Sequence, residues 1–350
     1  MADTRRRIGI TMPILNQPYS KFPELARLAD EAGFDSLWDY EFFRNPFMVH
    51  GVCAAATQRI QHATGIATTC SRSPFEMANA AADLDELTGG RTILGLATGG
   101  QMWTDVYNGA DVEHPLPRLR EYVTCLRAIW KHLGDGEPFT VEGEYHSAAS
   151  PQFNPWGVRE MVRPQIPVYL SVVRPRMLRL AGEIGDGVLC YLATPDYLRE
   201  TVLPNVAAGA EAAGRAREDV DVTALVLCSV SEDREEAMRR ARINVGNYIC
   251  FPGADPMVQA NGIAEVRDAV AAKLFTEGPS AFDLIPEDVV RRFAICGTPD
   301  EGREQLAEFD GLLDHVVLHT PYVPPLAQAD SEDCFRNTVA AFAAELAPAA

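Results

Sequence analysis

Short apolar runs and helical apolar stripes alternate along the whole chain. Residues 8–15 (Ile-Gly-Ile-Thr-Met-Pro-Ile-Leu), closed by Asn16 and Pro18, predict a first strand. Phe22, Leu25, Ala26 and Ala29 then share one helical face that ends at Gly33. Residues 35–41 predict strand two and the apolar stretch 46–57 a helix; residues 61–69 predict strand three and 75–87 a helix capped by Gly89 and Gly90. Strand four falls at 92–98. The next helix has the clearest period: Leu119, Tyr122, Val123, Leu126, Ile129, Trp130 and Leu133 recur at helical spacing, with Gly134 read as its stop.

Residues 139–145 suggest a small hairpin, and a proline-containing loop continues to Pro167. Strand five is expected at 167–173, strand six at 187–192, strand seven at 222–230 and strand eight at 314–319, each but the last followed by a helical stretch. Residues 250–286 read as irregular, with one helical patch near 266–274, and suggest a lid or a packing insertion. Thr298 followed by Pro299 opens a late helix with a good N-cap. Strands separated by crossover helices must run parallel, and eight of them predict a closed barrel. The fold class expected is therefore α/β: one (β/α)8 TIM barrel over residues 1–350, with insertions after strands four and seven at about 135–165 and 249–286. No composition break marks a second domain.

Charge narrows the partners. The formal net charge of −18 repels phosphate backbones, so nucleic acid is not expected to bind. The run Arg5, Arg6 and Arg7 is too short to act as a binding arm. The eight cysteines show no CxxC spacing and read as small buried hydrophobes in a reducing cytoplasm. No apolar stretch reaches bilayer length, so no membrane association is expected. None of the seven histidines is spaced for a metal, and the Rossmann, Walker, nucleophile-elbow and zincin motifs are all absent.

Active-site groups in this fold emerge from the carboxyl ends of the strands. That rule selects Asp39 and Glu41 after strand two, Thr68 and Thr69 after strand three, Thr98, Gly99 and Gly100 after strand four, Arg174, Pro175 and Arg176 after strand five, and Tyr191 after strand six. Arg174-Pro175-Arg176-Met177 leads straight into a helix, whose free N–H groups and positive dipole end favour a phosphate; a plain loop with solvated arginines is the alternative. Thr98-Gly99-Gly100 allows close approach of backbone to a ligand, or is an ordinary turn. Asp39 and Glu41 share one strand face, and either a base or a rim salt bridge fits them. No lysine stands at these strand ends, which argues against Schiff-base chemistry.

Four stretches carry a resemblance. They are residues 65–74 (Gly-Ile-Ala-Thr-Thr-Cys-Ser-Arg-Ser-Pro), residues 84–99 (Leu-Asp-Glu-Leu-Thr-Gly-Gly-Arg-Thr-Ile-Leu-Gly-Leu-Ala-Thr-Gly), residues 167–182 with Asp186 and Gly187, and residues 296–301 (Cys-Gly-Thr-Pro-Asp-Glu). Together they resemble the luciferase-like flavin and deazaflavin oxidoreductase superfamily over nearly the whole chain. Within it, residues 41–47 and Arg72-Ser73-Pro74 are similar to actinobacterial-type enzymes dependent on the deazaflavin coenzyme F420.

The resemblance implies a hydride-transferring oxidoreductase that uses F420 and a small-molecule substrate, and often a homodimer. It implies that Val173, Arg174, Pro175, Arg176 and Met177 hold the cofactor phosphate. Thr98 and Gly99 would line the ring, and Gly65, Ile66 and Ala67, with a cis peptide near Gly65–Ile66, would buttress it. Asp39 is counted with these cofactor positions. Two features depart from the relatives: Phe42 stands where many carry histidine after the acidic residue, and Gly100 where sugar-phosphate dehydrogenases of the group carry glutamate. Tyr40, Glu41, Arg44 and Tyr191 remain the candidates for catalysis. The competing functions are an FMN-dependent monooxygenase on the same barrel and a cofactor-binding barrel without turnover.

Overall fold

The computed structural model describes residues 6–346 apart from positions 16, 42, 101, 112, 152 and 156, so Arg5, Asn16 and Phe42 lie outside the described residues. Eight parallel strands close on themselves: Arg7–Thr11, Ser36–Asp39, Gln61–Thr64, Thr92–Ala97, Val168–Ser171, Gly187–Tyr191, Asp221–Val230 and His315–His319. Counted in that order as strands one to eight, each pairs with the next, and strand eight returns to strand one with Arg7 opposite His315 and Ile10 opposite Leu318. Closure removes the unpaired edges that an open sheet would expose. Helices packed outside the sheet bury its outward side chains.

The bore is filled. Trp38, Ala63, Ile93, Tyr169, Leu189 and Val317 meet inside it, and Ile66 and Leu225 pack against them. At its amino end Ser36 Oγ accepts from Trp38 Nε1 at 2.6 Å and lies 2.8 Å from His315 Nε2. Side chains fill a barrel of this size, so no passage runs through it and only the carboxyl rim is open to a ligand.

Element positions follow the sequence pattern, with local corrections. Strand one ends at Thr11, although Met12 N still donates to Trp38 O at 2.7 Å. Strand three stops at Thr64 and resumes only for Ala67–Thr68. The fourth helix, Pro115–Asp135, runs through Gly134 and ends at Gly136, whose φ of 76° supplies the left-handed cap. The hairpin after it pairs Thr140–Val141 with Ala148–Ala149. The segment read as irregular is largely helical, with Asp255–Ala260, Ala264–Glu277 and a 3-10 stretch Gly278–Leu284. Alanine, glutamate and lysine favour that conformation, and the amphipathic signal is weak because Val270 is the one buried residue of Ala264–Glu277.

Strand seven holds the least expected feature. Its first half pairs with strands six and eight, whereas Leu227–Val230 pairs with a further parallel strand, Ala294–Gly297. Strand seven therefore projects above the rim. The helix that follows it, Arg234–Ile249, descends from that height and carries Tyr248 into the mouth of the barrel.

Strands three and four approach so closely that Gly95 has no substitute. A Cβ there would stand 1.9 Å from Thr64 O, while Thr64 Oγ1 exchanges hydrogen bonds of 2.9 Å with Gly95 N and O. Gly95→Ala is expected to lower stability by about 3 kcal/mol, at the upper end of the cost of overpacking. Urea unfolding measures this, and a variant as stable as the parent would refute the close approach.

Candidate active site

The rim divides into two sides. Strands three, four and five are consecutive neighbours in the sheet, so the segments after them form one wall. Here the break in strand three places Ile66 on top of the packed bore, where its carbonyl accepts Glu41 N at 3.1 Å and Gly65 N donates to Asp39 O at 2.7 Å. Both bonds hold the break against strand two with a trans Gly65–Ile66 peptide; Pro324–Pro325 is the only cis bond among the described residues. Gly65 must lack a side chain, because a Cβ would lie 2.9 Å from Asp39 O and from the Trp38 ring. Ala67 is fully buried behind Ile66. Gly99, at φ 87°, turns the chain after strand four beside Thr98, and both are partly open.

Beyond strand five the helix Pro175–Ile184 begins with Arg174 as its N-cap, and no side chain caps it. Elsewhere Asn45, Ser73, Thr194, Asp233 and Thr298 each accept a backbone N–H at a helix start. The first turn of Pro175–Ile184 carries no acidic residue, and Arg174, Pro175 and Arg176 are exposed while Met177 is partly buried. Val173 is held from behind, its carbonyl accepting Tyr197 Oη at 2.7 Å. The N–H groups of Arg176 and Met177 thus stand without a side-chain cap at a positive dipole end, an arrangement that suits an anion. The Arg176 side chain also lines an external groove of about 430 Å³ with Arg120 and Arg179.

The other wall is aromatic. Tyr40, Tyr322, Tyr248, Tyr191 and His319 gather at the ends of strands two, six and eight. Tyr40 stacks on Tyr322 at 4.3 Å and meets the His319 ring edge-on at 5.9 Å. Tyr248 Oη lies 2.7 Å from His319 Nε2 and 2.9 Å from Tyr322 Oη, and His319 Nδ1 lies 3.0 Å from Thr11 Oγ1. The Tyr40 hydroxyl is buried without a hydrogen bond of normal geometry. Burial pushes the Tyr40 and Tyr248 hydroxyls well above the usual tyrosine range and those of Tyr191 and Tyr322 up to about 12. It also pushes the His319 imidazole down to about 3. The wall is a set of neutral donors and acceptors.

The sequence-predicted polar candidates are placed differently. Glu41 is bound at the rim: it accepts Thr68 N at 2.7 Å and Thr68 Oγ1 at 2.8 Å, and pairs with Arg72 at 2.8 Å. Arg44 donates to Ile14 O at 3.0 Å and Gln17 O at 2.5 Å, and stacks on Tyr19, so it secures the loop after strand one. Asp39 alternates with the inward Trp38 and faces the helix Pro46–Ala54, where His50 Nε2 stands 3.2 Å from its carboxylate. The Tyr191 ring lies 6.4 Å from Tyr248, and a Cβ at Gly253 would press on its hydroxyl.

Sequence reasoning missed Tyr248, His319 and Tyr322. His319 closes strand eight and meets the strand-end rule, so it was findable. Tyr248 sits on a helix, where that rule gives no signal. Among the described residues no cluster of three or more histidine, cysteine, aspartate or glutamate side chains is arranged to hold a metal ion, and no helix is long and apolar enough to cross a membrane.

Comparison with known proteins adds to this geometry. The profile of the luciferase-like monooxygenase family matches residues 4–315. A 5,10-methylenetetrahydromethanopterin reductase of Archaeoglobus fulgidus is 32% identical, over 88% of this chain and 92% of that protein. One of Methanolobus tindarius is 30% identical, over 88% of this chain and 93% of that protein. Among solved structures, the coenzyme F420 dependent tetrahydromethanopterin reductase of Methanopyrus kandleri superposes with a TM-score of 0.81 at 25% identity, covering 96% of this chain and 97% of that one.

Burial of His319 has a consequence for stability. The ring stays neutral in the fold down to about pH 3, whereas the unfolded chain takes up a proton near 6.5. Stability is therefore lost as pH falls below about 6.5, by about 1.4 kcal/mol per pH unit for this one group. Burial shifts His62 and His315 the same way. Chemical unfolding at pH 6 and pH 5 is expected to show a shallower loss for His319→Asn than for the parent, and equal slopes would show that His319 titrates normally.

Proposed function

Because the chain belongs to the luciferase-like monooxygenase family, we propose that it is an oxidoreductase that exchanges a hydride between the deazaflavin coenzyme F420 and a small organic substrate. The observation that carries this reading is the uncapped amino end of Pro175–Ile184 at the carboxyl rim, on the same wall as the ledge at Ile66. The residues fit a phosphorylated tricyclic cofactor. Arg174, Arg176 and the N–H groups of Arg176 and Met177 would hold the phosphate, with Val173 and Pro175 shaping that turn. Ile66, backed by Gly65 and Ala67, would support the ring from below, and Thr98 and Gly99 would border it. When bound, the deazaflavin supplies the two-electron carrier.

The chain's own residues bind, orient and exclude water. Glu41 acts through Thr68 and Arg72, fixing the end of strand three, and Arg44 fixes the loop after strand one; both are positioning residues in this reading. Asp39 supports the ledge from behind through its carbonyl bond to Gly65 N. Tyr40 and Tyr191 belong to the wall that faces the substrate. The reductase activity of the archaeal relatives and the F420 dependence of the Methanopyrus kandleri enzyme support the choice of F420 over FMN.

Fluorescence titration of the purified protein tests this. F420 is expected to bind saturably and at least about tenfold more tightly than FMN, and Arg174→Glu to weaken it by a similar factor, equivalent to ~1.4 kcal/mol. Tighter binding of FMN, or unchanged F420 affinity in the variant, would overturn the cofactor or the phosphate assignment respectively.

The reading includes a homodimer. Met48, Phe75 and Leu87 are more than half exposed on the neighbouring helices Pro46–Ala54 and Pro74–Thr88. Large exposed apolar side chains on two packed helices favour a covered surface. Light scattering is expected to give twice the 38.3 kDa chain mass, and Met48→Glu with Leu87→Glu to shift it toward one.

A further inference from the structure

We infer that Tyr248 is a catalytic hydrogen-bond donor to the reacting heteroatom of the substrate, with His319 as its positioning residue. The substrate class that follows is an organic molecule whose reacting carbon belongs to a C=O or C=N group, or to the alcohol or amine it becomes. This rests on the hydride-transfer reading above and supplies what that reading lacks, since the charged candidates Glu41 and Arg44 are committed to rim contacts.

The hydrogen-bond inventory carries the inference. Thr11 Oγ1 accepts Thr320 N at 3.2 Å and lies 3.0 Å from His319 Nδ1, to which its own hydroxyl can donate. With that donation the ring proton stands on Nε2 and is given to Tyr248 Oη, 2.7 Å away. Tyr322 can donate to the same oxygen at 2.9 Å. A hydroxyl oxygen that accepts two hydrogen bonds is polarised, and its own O–H is left free to donate more strongly. Tyr248 is also the partly exposed member of the group, whereas Tyr322, His319 and Thr11 are buried.

A second observation points to a ligand. Asn244 lies one helical turn before Tyr248, on the same side of Arg234–Ile249. It is fully buried, and neither its amide nitrogen nor its oxygen has a hydrogen-bond partner. A buried unpaired amide is costly, and one stands a single helical turn from Tyr248.

The chemistry balances without a charged acid. The hydride adds to the carbon of C=X and brings both electrons of the new C–H bond. The C=X π pair moves onto X, where the developing negative charge meets the Tyr248 O–H. A proton from water at the mouth then completes X–H. In the opposite direction X–H gives its proton to water and the hydride leaves carbon. Tyr248 keeps its proton throughout, in accord with an environment in which ionised tyrosine and protonated histidine are both disfavoured. Donors held in this manner act on charge that appears only during reaction.

The test uses 4-dimethylaminocinnamaldehyde, whose absorption moves to longer wavelength when its carbonyl is polarised. The F420-saturated protein is expected to shift the probe to the red. Tyr248→Phe is expected to abolish the shift, His319→Gln to reduce it, and both to bind F420 as the parent does. Absence of a shift in the parent, or a full shift in Tyr248→Phe, overturns the inference. Should Tyr248→Phe not fold, an undiminished shift in His319→Gln overturns it equally. Failure of the parent to bind F420 refutes the cofactor reading instead, and the probe shift without cofactor then decides this inference separately.

Discussion

Filling of the barrel bore is the constraint from which the rest of the structure follows. Trp38, Tyr169 and their neighbours occupy the interior, and Ser36 and His315 close its amino end by hydrogen bonding. A ligand can therefore meet the sheet only at the carboxyl rim. There the backbone leaves regular pairing: strand three breaks at Gly65 and Ile66, strand four ends in a left-handed glycine, and strand five opens a helix. Each departure costs backbone pairing, and the first of them is held by strand two. The ledge at Ile66 is rigid because Asp39 O and Glu41 N grip it from strand two.

The two walls of the rim then differ in kind. The wall after strands three to five is largely backbone: glycines, exposed amide groups and a helix end. Such groups suit the binding of a phosphate and the support of a flat ring, because they offer fixed dipoles and close approach. The opposite wall is built of side chains that burial keeps neutral. Electrostatic work is thus separated in space, with positive potential and arginines on one side and uncharged donors on the other. A hydride carrier held by the first wall would face the second.

Legibility from sequence follows the same division. The alternation of strands and helices was readable because each element has its own apolar period, and all eight barrel strands fall close to their expected places. The backbone wall was readable too, since Gly99, Pro175 and the arginines around it have short-range conformational meaning. The aromatic wall was not. Tyr248 lies on a helix, His319 some 71 residues further on, and Tyr40 far earlier in the chain; nothing local states that they meet. Glu41 was read as able to serve as base or salt bridge, and only its contacts with Thr68 and Arg72 place it at the rim. Asp39 was selected by strand-end position, yet strand alternation turns its side chain toward His50.

The extension of strand seven explains how a helical residue comes to complete a strand-end site. In a regular barrel the helix after a strand starts at the rim and packs outside the sheet. Here Leu227–Val230 continues upward and pairs with Ala294–Gly297, so the following helix starts well above the mouth and reaches it at its last turn. Tyr248 and Asn244 are thereby carried by the helix that leads into the insertion and not by a barrel strand. Side chains so held can change with the insertion while the cofactor wall stays fixed. That arrangement lets one scaffold keep its redox carrier and vary what the carrier reacts with.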